Sequence, residues 1–233
     1  MSPSRQGRGL RRLIVTLVVL VVLAVAADRI AAAVAQNQLA SMAQKEAAKY
    51  QVRSADTSAK IGGFGFFPQL FNQKFAKVTL TMGKPAFSKV PGENLTVDMT
   101  GVHVPRSLLF KQTGTVTVDK TDMQVRLSPR ELGRLAVKTT GLQGLSMEAV
   151  GGKLHVKYAA NGVNLDVPVV PQIQDGKLTL DLSDGSVPAA LKSELTNGIE
   201  LPELPFKAQL TSVDLKDNAV VLAATVPDLS FNH

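Results

Sequence analysis

The chain has no cysteine and no tryptophan, and only two tyrosines and three histidines in 233 residues. Without cysteine there can be no disulfide, no thiol nucleophile and no Cys-ligated zinc or iron–sulfur site. If the protein is exported, its core alone holds it together. His103, His155 and His233 are scattered, and none has a metal-ligand spacing such as HExxH. No GxSxG nucleophile elbow occurs. Gly63-Phe64-Gly65 begins like a dinucleotide loop, but no strand signal precedes it and aromatic bulk fills the turn. Asp181 and Asp184 fall at strand ends, where solvated turn residues are usual, and nothing marks the paired carboxylates of a glycosidase. No residue pattern asks for an enzyme, a metal or a cofactor.

Acidic residues are missing from the first 27 positions, which hold Arg5, Arg8, Arg11 and Arg12. Setting aside those four of the 26 basic residues leaves 22 against 19 acidic ones, so the body is only mildly basic. Its lysines are spread out rather than gathered with stacking aromatics, which argues against nucleic acid. Residues 13–27, LIVTLVVLVVLAVAA, are apolar apart from Thr16. As a helix they span about 22 Å, less than the ~30 Å of bilayer hydrocarbon. A basic start, an apolar run and the small Ala24-Val25-Ala26 read as an export signal. The alternative is an uncleaved anchor whose helix runs on through Asp28. Either way the arginines stay inside and residues 28–233, read as one domain, lie on the extracytoplasmic side of the membrane.

Glycine and proline are absent from residues 28–50, which are rich in alanine and predict a helix. Ala35, Leu39, Met42, Ala43, Ala47 and Tyr50 recur along one stripe. Beyond residue 75 the period becomes two. Val78, Leu80 and Met82 alternate with polar neighbours, as do Leu95, Val97 and Met99. The phase slips at Gly101, which suggests a bulge. Further strands run through Val116–Val118, Met123–Leu127, Leu154–Tyr158, Val163–Val167, Leu178–Leu182, and a final pair at residues 206–215 and 220–226. Asn161-Gly162 is a hairpin turn by type, and the proline-rich residues 201–206 form a stiff connector. Ser128 and Glu131 form a capping box for a short helix over residues 129–137, and Ser186 is placed to cap another over residues 187–195. Strands of this kind have one apolar face that must curl on itself or be covered.

One stretch holds most of the aromatic bulk. Residues 61–75, IGGFGFFPQLFNQKF, carry five of the nine phenylalanines: Phe64, Phe66, Phe67, Phe71 and Phe75. A glycine-loosened, Phe-loaded loop between helix and sheet suits the lip of an apolar cavity or a wedge into a bilayer. A plug that simply fills the core is the other reading.

Three stretches resemble the LmeA-like phospholipid-binding family of actinobacterial cell-envelope proteins. They are GGFGFFPQLFNQKFAKVTL with the preceding Asp28-Arg29 helix, TGVHVPRSLL leading to VRLSPRELGRL, and LPELPFKAQLTSVDLKDNAVVLAATVPDLSF. The resemblance implies an exported or tethered protein of the cell envelope whose partners are membrane phospholipid and the membrane surface. It also implies an α+β fold in which a long N-terminal helix packs against a strongly curled antiparallel sheet, TULIP-like, with two short helices. On that reading Phe64, Phe66, Phe67, Leu70, Phe71 and Phe75 contact lipid, and Lys74 and Lys77 attract the headgroup. A structural envelope protein without ligand and an exported lipid or glycan hydrolase are the competing functions.

Overall fold

In a computed structural model, residues 6–87, 90–107, 113–160, 162–182, 187–201 and 204–232 are described. The expected turn residue Asn161, the expected cap Ser186, His233 and Pro202-Glu203 of the connector lie outside them.

The first element is a single helix, α1 (Gln6–Lys49), which runs through Asp28 without a break. Its 44 residues extend about 66 Å. From Ile14 to Val25 its large apolar side chains are exposed, whereas Leu39, Ala43 and Ala47 pack against the body. Met42, expected on the packed stripe, is 39% exposed, because the seam follows the four-residue spacing of Leu39, Ala43 and Ala47. After α1 come β1 (Val52–Arg53), β2 (Asp56–Gly62), the short helix α2 (Phe66–Phe71) and β3 (Lys74–Gly83). Two-residue strands β4 (Ala86–Phe87) and β5 (Val90–Pro91) lead to β6 (Asn94–His103) and β7 (Thr115–Leu127). Helix α3 (Pro129–Thr140) precedes the meander β8 (Leu145–Val150), β9 (Lys153–Ala160), β10 (Val163–Gln174) and β11 (Lys177–Asp181). Helix α4 (Ala189–Thr196) and a 3₁₀ turn at Pro205–Lys207 lead to β12 (Gln209–Lys216), β13 (Ala219–Val226) and β14 (Ser230–Asn232).

The expected α+β fold, with its long N-terminal helix and antiparallel strands, is present, but the strong curl is not shown. Among the described residues the strands form three antiparallel sheets and none closes on itself. Seven strands run β12-β13-β7-β6-β3-β2, with β14 continuing beside β7. Four run β11-β10-β9-β8, and three run β1-β4-β5. Helices and neighbouring sheets cover the apolar faces, so closure is not needed to bury them. In the large sheet the register stacks like with like. Met82, Leu95, Val125 and Leu222 share one row, and Leu80, Val97, Met123 and Ala224 the next. Leu95, Val125, Leu222 and Met123 are almost wholly buried.

The phase slip at Gly101 is not a bulge. The register of β6 with β3 and with β7 continues unshifted across it. Gly101 has φ +64°, and the Asp119 carboxylate occupies the space a Cβ would need. Beyond it the buried face changes sides. Phe75, Val102 and Val118 form a buried row, while the adjacent row of Lys74, His103 and Thr117 projects the other way. Packing in the small helices follows their sequence. Ser128 Oγ accepts from the Glu131 amide at 3.3 Å, but the Glu131 carboxylate pairs with Arg134 rather than completing the box. Gly133 lets α3 lie against β8, since a Cβ there would sit 2.9 Å from the Met147 nitrogen.

Candidate functional site

The phenylalanine segment is not a loop. Gly62 ends β2, Gly63 and Gly65 turn the chain, and six residues wind into α2 before β3 begins. Gly65 has φ +67°, in the left-handed region that favours glycine. The helix has no cap of its own, because Gly65 offers no side chain to its free amides. The cap comes from α1. The Asp28 carboxylate accepts from the Phe66 amide at 2.8 and 2.9 Å and from the Phe67 amide at 2.8 Å. Those two bonds hold the carboxyl below its ordinary pKa, and Arg29 beside it adds to the effect. Gln69 ties the turn from inside, donating to the Gly65 carbonyl at 2.7 Å and accepting from the Ala76 amide at 2.8 Å.

The six residues of this segment expected to contact lipid differ in exposure. Phe75 is buried at 6% exposure, and Phe66 and Leu70 pack against the core beside it. The Phe66 ring lies 5.7 Å from that of Phe75 and 5.8 Å from that of Phe67. Phe67 is half-buried. Phe64 and Phe71 are 93% and 70% exposed. Part of the cluster is therefore the core plug that the sequence also allowed, and part is an apolar surface that nothing among the described residues covers.

The two lysines next to the helix are already paired. Lys74 Nζ lies 3.1 Å from Asp119, whose carboxyl is lowered first by that bond and then by His103 at 2.9 Å. Lys77 Nζ lies 3.1 Å from Asp98. Arg106 reaches the other end of α2, where its guanidinium donates to the Phe71 carbonyl at 3.3 Å and its amide to Gln73 Oε1 at 3.2 Å. Sequence reasoning missed Asp28 and Arg106. Asp28 acts on amides 38 and 39 positions away, and no local spacing reports that; the one hint is a helix start, Gly65-Phe66-Phe67, with no capping side chain.

A cleft of about 620 Å³ lies apart from this segment, among Lys177, Ile199, Leu201, Leu204, Ala208 and Leu210. Leu201 and Leu204 also line a small apolar void against Phe87, Val125 and Leu222. Among the described residues no group of three or more His, Asp or Glu side chains is placed to hold a metal ion.

No curated protein and no solved structure matches the chain. A family model does, over residues 26–225, from just before Asp28 almost to the end of β13. By that match the chain belongs to the LmeA-like phospholipid-binding family.

Proposed function

We propose that the protein is held in a membrane by residues 13–27, with its body on the extracytoplasmic side, and binds phospholipid at the bilayer surface through Phe64 and Phe71. One observation carries this reading. The Asp28 carboxylate, one residue past the apolar run of α1, is hydrogen-bonded to the first turn of α2. If that run lies in hydrocarbon, α2 with the exposed Phe71 ring, and the Phe64 ring just before it, lie at the interface. The span is also short for a bilayer, and a short span is accommodated by local thinning or by drawing flanking residues inward. Each phenylalanine fully removed from water contributes roughly 1.5–3 kcal/mol. Buried Phe75 beneath, with the partly buried Phe66 and Leu70 packed on the core, gives the exposed rings a firm base rather than a cavity to close. The role is recognition of lipid, with no chemical step assigned to any residue.

The cleft beside Ala208 favours a second reading, in which an acyl chain is seated there, since its volume falls in the range of ligand pockets, ~300–1,000 Å³.

The experiment that tests docking uses Phe64→Asp with Phe71→Asp. Both side chains are exposed, so thermal stability stays near that of the parent. Transfer of the two rings into lipid accounts for at least ~3 kcal/mol, so the docked population falls about a hundredfold. A probe on α2, read with acyl-chain quenchers in vesicles, measures it. If quenching persists undiminished, Phe64 and Phe71 do not hold α2 at the bilayer, and the lipid contact lies elsewhere.

A further inference from the structure

We propose that Arg29 and Arg106 are the phosphate-binding groups of this surface, one at each end of α2, and that they make it select anionic phospholipid. The proposal rests on the docking of α2 described above and names which lipids it favours. Lys74 and Lys77 are poor candidates for this role, because each already faces a carboxylate at 3.1 Å. Arg29 and Arg106 are exposed, and among the described residues neither has a carboxylate within ion-pair distance.

Their positions suit the task. Arg106 is fixed through the carbonyl of Phe71, the residue whose ring is 70% exposed. With the ring at the acyl boundary, the guanidinium attached to the same residue's backbone sits at phosphate depth. One guanidinium nitrogen holds the helix, and among the described residues nothing else is bonded to the planar fork, which suits a phosphate oxygen. Arg29 follows the residue that caps the other end of α2, and stands close enough to Asp28 to help keep it ionised. The Asp28 oxygens are turned to two amides and make no ion pair with Arg29, so the Arg29 guanidinium is left to meet a phosphate even though the two charges offset each other at longer range. A guanidinium thus stands at each end of a short apolar helix.

The full chain tests this after reconstitution into vesicles of phosphatidylcholine alone or mixed with phosphatidylglycerol. The absence of native cysteine lets Asn72→Cys, an exposed position at the end of α2, carry a single fluorophore. Quenching by brominated acyl chains reports the docked state. The parent is expected to dock more on the anionic vesicles, and salt is expected to erase the difference. Arg29→Gln with Arg106→Gln lowers the docked-to-undocked ratio on anionic vesicles roughly thirtyfold, at about one unit of surface attraction per arginine. On phosphatidylcholine, whose phosphate is balanced by its own choline, docking falls much less. Retained anionic preference in this variant overturns the proposal, as does loss of preference on Lys74→Gln with Lys77→Gln instead. The single variants Arg29→Gln and Arg106→Gln, each giving part of the loss with an unaltered melting curve, exclude misfolding as its source. Absence of quenching for the parent on either vesicle refutes docking itself, a different result from docking without charge preference.

Discussion

A single hydroxyl interrupts one apolar row of the large sheet. Thr121 pairs across the sheet with Met99 and Val226 and is 1% exposed. Its Oγ1 has no hydrogen-bond partner among the described residues. A buried hydroxyl without a partner costs about 1–3 kcal/mol. Valine has nearly the same shape and removes that cost, and its β-branch suits the strand. Thr121→Val is therefore expected to stabilise the fold by about 1 kcal/mol, measured as a higher urea midpoint with unchanged slope. A lower midpoint means that the hydroxyl has a partner in solution and belongs to a polar feature of the core. The contrast with Thr225, whose hydroxyl donates to the Thr121 carbonyl at 3.1 Å, shows how the neighbouring strand satisfies the same side-chain type.

At the scale of elements, α2 depends on a cap it does not own. Six residues are too few to hold a helix by propensity alone, so the Asp28 bonds and the packing of Phe66 and Leu70 must hold it. Asp28→Ala is expected to speed amide hydrogen exchange at Phe66 and Phe67 while leaving the large sheet protected. The same bonds set a pH dependence. The folded-state pKa of Asp28 is depressed, so its contribution is complete above the ordinary aspartate value of about 3.9. It is lost as pH falls through the lower, folded-state value. Protection of those two amides, relative to their intrinsic exchange rates, should therefore be lost only in acid, and protection unchanged in Asp28→Ala would remove the cap from the account. This dependence also explains what the sequence could convey. Alternation announced β3, β6, β7, β9, β10 and β13, and Ser128 with Pro129 announced α3, because those signals are local. Strand β2, written DTSAKIG, has only Ala59 and Ile61 to mark its inner side, and it is an edge strand against which α1 packs. The phenylalanine segment read as a loop since its helix start lacks any local cap. Which rings are buried followed from the register of Phe75 with Val102, a pairing that the misplaced bulge at Gly101 had obscured.

For the whole molecule, the continuity of α1 is the decisive feature. About 22 Å of it, residues 13–27, is suited to hydrocarbon, and from Asp28 onward it runs another ~33 Å to Lys49 along the body. No flexible linker intervenes, so the helix proposed to enter the bilayer is the same continuous element that caps α2 and packs on β2. Docking of Phe64 and Phe71 on this arrangement requires no search of orientations, and the rings meet the interface at small entropic cost. Inserting a Gly/Ser linker between Ala27 and Asp28 separates these contributions. The Asp28 cap and the core are untouched, so the melting temperature should not move. The tether still supplies a high local concentration of domain at the surface, in the millimolar range for a short flexible link. Docking should therefore weaken without vanishing, and adding Phe64→Asp to the linker variant should abolish it. Undiminished quenching of the α2 probe in the linker variant would show that the rings find the bilayer unaided. The straight passage from span to body would then serve only to hold the protein in place.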